Sequence, residues 1–284
     1  MRYARRMTLQ FVDANGIRFA YLEEGTGPLV LLLHGFPDTP QTWDATRPAL
    51  ARAGFRAVSP FLRGYQPTSL APDDRYGIDD LGADAVALIA ALGETAAIVV
   101  GHDWGAVAGY SAAALGGPER VRFLVTVGLP HPAGVKFRPR IAWGARHFAT
   151  LKLPGAARRL VRHDGRGVER LIRRWSPRWD LPVHEADAVK ACFGDPAAAR
   201  AAVRYYHFLS PRPTPSLRLK VQVPTVAFAG TDDPALVPAD YERARRCFAG
   251  DYRVVEMPGG HFMHREHPEV FVPALVDLLA PFRP

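Results

Sequence analysis

Residues Ala96–Leu115 read AAIVVGHDWGAVAGYSAAAL. Ala96–Val100 is an apolar run too short for a helix, which suits a strand buried on both faces. Ala106–Leu115 is built from small residues at helical spacing. Between them stands Gly101-His102-Asp103-Trp104-Gly105, with a glycine two before and two after a central acid. Glycines at those places allow the close strand–helix crossing that a strained turn requires. Asp103 then points outward at the carboxyl end of the sheet, where open α/β folds place their ligands. It also sits at a helix N-terminus, which favours negative charge. The same geometry sends His102 inward, as a core histidine.

The chain on either side repeats this rhythm. Thr8–Asp13 and Ile17–Leu22 flank Asn15-Gly16, the preferred pair for a type I′ hairpin. Leu29–Leu33, Phe55–Ser59 and Val121–Val127 are further strand candidates, and Ile78–Leu92 carries apolar residues at helical spacing. Strands without alternation, separated by helices, indicate a mostly parallel sheet covered on both faces. From Pro130 to Ser216 only helical stretches follow, many rich in arginine. The pattern resumes with Val223–Ala229, a helix near Ala239–Phe248, the strand Tyr252–Met257 and a closing helix Pro268–Leu279. The sequence therefore predicts an α/β core from residues 1–129 and 217–284, with 130–216 inserted as a helical unit.

Composition narrows the classes. The chain has 284 residues, 48% hydrophobic and 23% charged, with 25 Gly and 26 Pro, which excludes disordered, collagen-like and coiled-coil proteins. Two cysteines far apart, Cys192 and Cys247, make neither a disulfide scaffold nor a Cys-rich metal site. The start carries Arg2, Arg5 and Arg6 with no apolar segment behind them, so no signal peptide is expected. No run reaches the roughly 18–20 apolar residues of a membrane helix. The expectation is a cytoplasmic protein without a membrane span. The net charge is +8, and Lys136–Asp180 alone holds 13 Lys and Arg against three acids. No nucleic-acid motif accompanies this segment, so it reads as a solvated helical face and no nucleic-acid partner is expected.

Two later loops supply partners for Asp103. Gly230-Thr231-Asp232-Asp233 follows a strand and offers a carboxylate, Asp233 by its spacing from the glycine. Gly259-Gly260-His261 follows the last strand and offers an imidazole. His34-Gly35-Phe36-Pro37 follows the third strand, where the backbone N–H of Phe36 can join that of Trp104 as an oxyanion-binding pair, with His34 beside them. Pro37 has no N–H to give.

These motifs, with Asp38, Arg63-Gly64-Tyr65 and Pro130-His131-Pro132, run in order along nearly the whole chain. Together they resemble the α/β-hydrolase superfamily and, within it, the epoxide hydrolase branch. The resemblance implies an α/β-hydrolase fold with 130–216 as a helical cap over the site. It also implies an Asp103–His261–Asp233 triad and epoxide opening without cofactor or metal. The acid that protonates the epoxide oxygen comes from the cap in that family. Arg204-Tyr205-Tyr206-His207 resembles the cap segment whose second aromatic is the donor, which selects Tyr206. A second cap tyrosine is usual; here His147 stands at its place. Arg63-Gly64-Tyr65-Gln66 also lacks the family's second glycine.

An aspartate in place of serine has its own chemical meaning. A carboxylate attacking an ester would form a mixed anhydride, whereas attack on an sp³ carbon forms a stable alkyl ester. The set therefore suits opening of an epoxide or displacement of a halide. A haloalkane or haloacid dehalogenase is the first alternative, weakened by Phe36 where that branch carries Asn. A non-catalytic binding protein with a basic cap is the second. The expected partners are a hydrophobic small molecule and water, with the chain a monomer or homodimer. His261, His264 and His267 with Glu266 and Glu269 do not read as a zinc site, because Gly259-Gly260 and Pro268 break a common helical face. Trp175 and Trp179 read as packing residues or as lining of the pocket.

Overall fold

The computed structural model describes residues 8–136, 138–210 and 212–284; the basic start with Arg2, Arg5 and Arg6 lies outside them. Eight strands form one sheet: β1 Gln10–Ala14, β2 Ile17–Glu24, β3 Leu29–Leu33, β4 Arg56–Pro60, β5 Ala97–His102, β6 Val121–Val127, β7 Thr225–Gly230 and β8 Tyr252–Met257. Their spatial order is β1-β2-β4-β3-β5-β6-β7-β8. The β1–β2 hairpin turns at Asn15 and Gly16, both at positive φ, as a type I′ turn demands. β2 pairs with β4 antiparallel, and every pair from β4 to β8 is parallel.

The central strands lie between two cores. Leu31, Leu33 and Val99 face one core, while Val30, Leu32 and Val100 face the other. Both sides of each strand thus need apolar residues, which is why these runs show no alternation. Helices α1 Thr46–Arg52, α2 Ile78–Ala91 and α3 Trp104–Arg120 precede β6. From Pro132 to Arg218 the described chain contains no strand; its regular elements are one 3-10 turn, Pro132–Gly134, and the helices α4 Pro139–Gly144, α5 Arg146–Lys152, α6 Ala156–Trp175, α7 Asp187–Phe193, α8 Pro196–His207 and α9 Pro215–Arg218. Helices α10 Pro238–Ala244, α11 Met263–Glu266 and α12 Pro268–Leu278 complete the core. No described helix is long and apolar enough to cross a membrane.

Several boundaries differ from the sequence expectation. α3 starts at Trp104 rather than Ala106, and Gly117 (φ 59°, ψ −169°) breaks it, so that a separate helical turn runs on to Arg120. The helix expected over Ala239–Phe248 is α-helical only to Ala244 and then tightens into a 3-10 turn. In α6 the surplus positive charge sits outward. Arg158, Arg162, Arg166, Arg170 and Arg173 are exposed, while Leu160, Val168, Leu171, Ile172 and Trp175 pack inward.

The Arg63 loop holds its shape without a second glycine. Arg63 Nε and Nη2 pair with the Asp84 carboxylate at 2.5 and 2.6 Å, and Nη1 donates to the Arg75 carbonyl at 2.6 Å. Tyr205 on α8 donates to the Arg63 carbonyl at 2.8 Å, tying the α4–α9 region to this loop. Arg63→Ala would strand the buried Asp84 carboxylate. Chemical denaturation is expected to show a loss of about 3–5 kcal/mol in unfolding free energy; a change below about 1 kcal/mol would mean that Asp84 finds another partner.

Candidate active site

β5 ends at His102, and Asp103 takes φ 51°, ψ −113°, a backbone conformation rare outside glycine. The strain is held by close packing. A Cβ on Gly101 would stand 2.2 Å from the Gly105 carbonyl oxygen, and one on Gly105 2.2 Å from that of Leu33. A Cβ on Gly35 would stand 2.5 Å from Asp103 Cβ, so that glycine lets the loop after β3 reach Asp103. At this approach the Phe36 N–H donates to Asp103 Oδ1 at 2.9 Å. The other carboxylate oxygen, Oδ2, lies 3.4 Å from His261 Nε2.

His261 reaches this position from the loop after β8, its N–H bonded to the Trp175 carbonyl at 2.9 Å. Its Nδ1 lies 3.4 Å from Asp233 Oδ2. Asp233 is held in turn by the N–H groups of Ala235 and Leu236, which donate to Oδ1 at 2.7 and 2.9 Å. Asp232 turns away and pairs with Arg178. Burial works against a charged imidazole, but the interactions with Asp103 and Asp233 outweigh it and raise the His261 pKa to about 10. The folded state therefore keeps that proton well past the ordinary 6.5 of the unfolded chain. The resulting stabilisation is complete below about pH 6.5 and is lost as pH rises through about 10. Thermal unfolding is expected to show Tm falling across that window, and falling less in His261→Gln. Equal slopes in the two proteins would contradict this pairing.

Asp103, Asp233 and His261 border a cavity of about 290 Å³ whose remaining walls are nearly all apolar. Tyr206 on α8, His147 on α5 and Trp175 at the end of α6 also line it, together with Trp104, which follows Asp103. The Tyr206 ring stands edge-on to Phe36 and Trp104, at 5.1 and 5.4 Å between centroids. Burial first, and then the nearby Asp103 charge, push its phenol well above the ordinary value, so it keeps its proton at neutral pH. His147 lies 5.6 Å from Tyr206 and 4.6 Å from Trp175, ring to ring. Its Nδ1 bonds to the Gly144 carbonyl at 3.0 Å, and burial lowers its pKa to about 4. It is therefore a neutral imidazole at pH 7.

His34 requires a correction. Its ring does not border the cavity: Nδ1 bonds to the Gly35 carbonyl at 2.9 Å, and Nε2 accepts the Leu62 N–H at 3.0 Å. Both nitrogens are spent on backbone, so His34 pins the loop that carries Phe36 and has none left for a ligand. His102 likewise faces the core and bonds to the His261 carbonyl at 3.0 Å. His261, His264 and His267 do not converge; His267 pairs with Glu269. Trp175 lines the cavity while Trp179 packs on Phe262. Trp175 is the last residue of α6, whereas Trp179 lies beyond the turn at Ser176, and this packing is not encoded by their spacing in the sequence.

The family model for the alpha/beta hydrolase fold matches residues 28–268. The chain belongs to that family. Epoxide hydrolase A of Mycobacterium tuberculosis is 30% identical, over 96% of this chain and 97% of its own length. This places the α/β hydrolase in the epoxide hydrolase-like branch. The crystal structure of epoxide hydrolase A from Mycobacterium thermoresistibile superposes with a TM-score of 0.78 at 27% identity, covering 96% of this chain and 98% of that one. Epoxide hydrolase VrEH1 from Vigna radiata gives 0.81 at 25% identity, covering 99% and 100%.

Proposed function

We propose that this α/β hydrolase converts an epoxide to a vicinal diol through an alkyl ester on Asp103. The observation that carries this reading is that a nucleophile and an acid line one apolar cavity: Asp103, oriented by the Phe36 N–H, and the protonated phenol of Tyr206. A leaving alkoxide needs an acid, whereas a halide does not, so Tyr206 favours epoxide opening over dehalogenation. Homology to named epoxide hydrolases supports the same choice.

In the first step an Asp103 carboxylate oxygen attacks a ring carbon. The C–O bond breaks, its electron pair moves to the ring oxygen, and Tyr206 supplies the proton. Forming the ester removes the Asp103 charge, one of the interactions that raise the His261 pKa, so the imidazolium gives its proton to solvent, acts as a neutral base, and regains a proton from solvent once the carboxylate is restored. His261, steadied by Asp233, then takes a proton from water, and the hydroxide attacks the Asp103 carboxyl carbon. The N–H groups of Phe36 and Trp104 stabilise the oxyanion. Collapse releases the diol: the His261 proton goes to the departing alkoxide, and the other water proton returns to Tyr206. Residues 130–216 serve as the cap that closes the cavity and keeps bulk water from the ester.

A single turnover in ¹⁸O-labelled water, with enzyme in excess over a terminal epoxide, tests the route. The diol should leave unlabelled and the label should enter Asp103, since water attacks the carboxyl carbon. Label in the first-turnover diol would mean direct attack by water. A haloalkane run in parallel should release no halide. Tyr206→Phe is expected to lower kcat by about 10²–10⁴-fold, and His147→Phe by less, as measured by diol formation. A larger loss in His147→Phe would transfer the acid role to His147.

A further inference from the structure

Behind His261, outside the cavity, three polar atoms converge. Asp38, His102 and His264 each bring a ligand-type atom within 4.8 Å of those of the other two, and Asp38 Oδ2, His102 Nδ1 and His264 Nδ1 have no hydrogen-bond partner. All three residues are buried, none more than 2% exposed. The other atoms of each group are already in use. His102 Nε2 bonds to the His261 carbonyl at 3.0 Å and so carries the proton, leaving Nδ1 a bare lone pair. Asp38 Oδ1 accepts from the Thr39 N–H at 2.8 Å and from Arg265 Nη1 at 3.0 Å, while Oδ2 accepts nothing. His264 Nε2 meets Thr42 Oγ1 at 2.6 Å.

A buried carboxylate oxygen and imidazole nitrogens without partners are costly unless something positive lies among them. We propose that Asp38, His102 and His264 form a binding site for a divalent metal ion of the zinc class. Imidazole nitrogen and carboxylate oxygen are the donors that zinc takes, and three protein ligands leave one position for a further ligand. Charge points the same way. Asp38 and the partly exposed Glu185 share Arg265, so two carboxylates face one guanidinium and a negative charge remains. A water molecule offers two hydrogens and no charge; with the His264 Nε2 proton given to Thr42 Oγ1, a divalent ion takes a donor from each of the three residues and offsets that charge. Ligands of tetrahedral zinc stand about 3.4 Å apart at metal distances of about 2.0–2.2 Å. The side chains therefore need to close by about 1.4 Å at most.

The site is structural and separate from the chemistry at Asp103. Asp38 follows the Phe36 turn, His102 precedes Asp103, and His264 follows His261 by one helical turn. An ion here ties together the three segments that build the active site. Its donors are buried, so it enters as the chain folds.

The full chain would be expressed in minimal medium supplemented with zinc, and separately with cobalt, then desalted over chelating resin. Elemental analysis is expected to find about one ion per chain, with a visible ligand-field spectrum in the cobalt protein. His264→Leu and Asp38→Asn should each reduce the metal content tenfold or more. His267→Gln, which alters a histidine outside the cluster, should retain it. Wild-type protein that carries less than about a tenth of an ion in both media overturns the proposal and leaves a buried water site. Full metal content in either cluster variant also overturns it. If neither variant folds, the cobalt spectrum of the wild type decides, since its absence at full cobalt content places the ion on oxygen ligands elsewhere.

Discussion

Replacing Asp103 by alanine is expected to abolish diol formation, lowering kcat by about 10⁴-fold or more. No neighbouring group can replace the carboxylate. Asp233 has one oxygen committed to two backbone N–H groups and the other facing His261, and Tyr206 holds its proton tightly. The fold should survive. The turn at residue 103 is held by the glycines at 101 and 105 and by backbone contacts, including the Asp103 N–H to the Val127 carbonyl at 3.2 Å. Alanine must still adopt the strained backbone, and both the Phe36 N–H and His261 lose a partner, so a lower Tm with intact circular dichroism is the expected signature. Diol formation within tenfold of wild type in the folded variant would remove Asp103 from the proposed chemistry.

His261→Gln is expected to separate the two half-reactions. Glutamine cannot take a proton from water, so the ester formed on Asp103 should persist. Intact-protein mass should rise by the whole mass of the epoxide, in a burst of one per chain, with steady turnover lowered by about 10⁴-fold. Peptide mapping should place the added mass on Asp103. A gain equal to an alkyl group alone, from a haloalkane, would instead mark a dehalogenase. Continued turnover without any adduct would exclude the covalent route.

Much of the candidate site was legible in the sequence because its parts are backbone devices. Gly101 and Gly105 announce a crossing too tight for a Cβ, and the clashes at 2.2 Å give the physical reason. The continuous apolar runs at Leu29–Leu33 and Ala96–Val100 signal strands covered on both faces, and their residues do alternate between two cores. The choice of Asp233 over Asp232 was also accessible, since its spacing from Gly230 matches the position that meets His261. His34 was misread because a histidine beside an oxyanion loop has the same sequence appearance whether it faces the ligand or the chain. Only the partners of its two nitrogens distinguish the cases.

The order of elements, the sharp turn at Asp103 and the carboxylate and imidazole that follow it are all readable from the residues, because each rests on local backbone geometry or on periodicity. Tertiary structure alone decided which cap side chains share the cavity with Asp103. Tyr205 and Tyr206 are adjacent on one helix, yet Tyr205 is drawn to the Arg63 carbonyl and Tyr206 to the cavity. Tertiary structure also brought together Asp38, His102 and His264, which lie in a loop, at the end of β5 and in α11, remote from one another in sequence. Such convergence depends on how the segments at one end of the sheet pack against one another, and no spacing within a single segment encodes it.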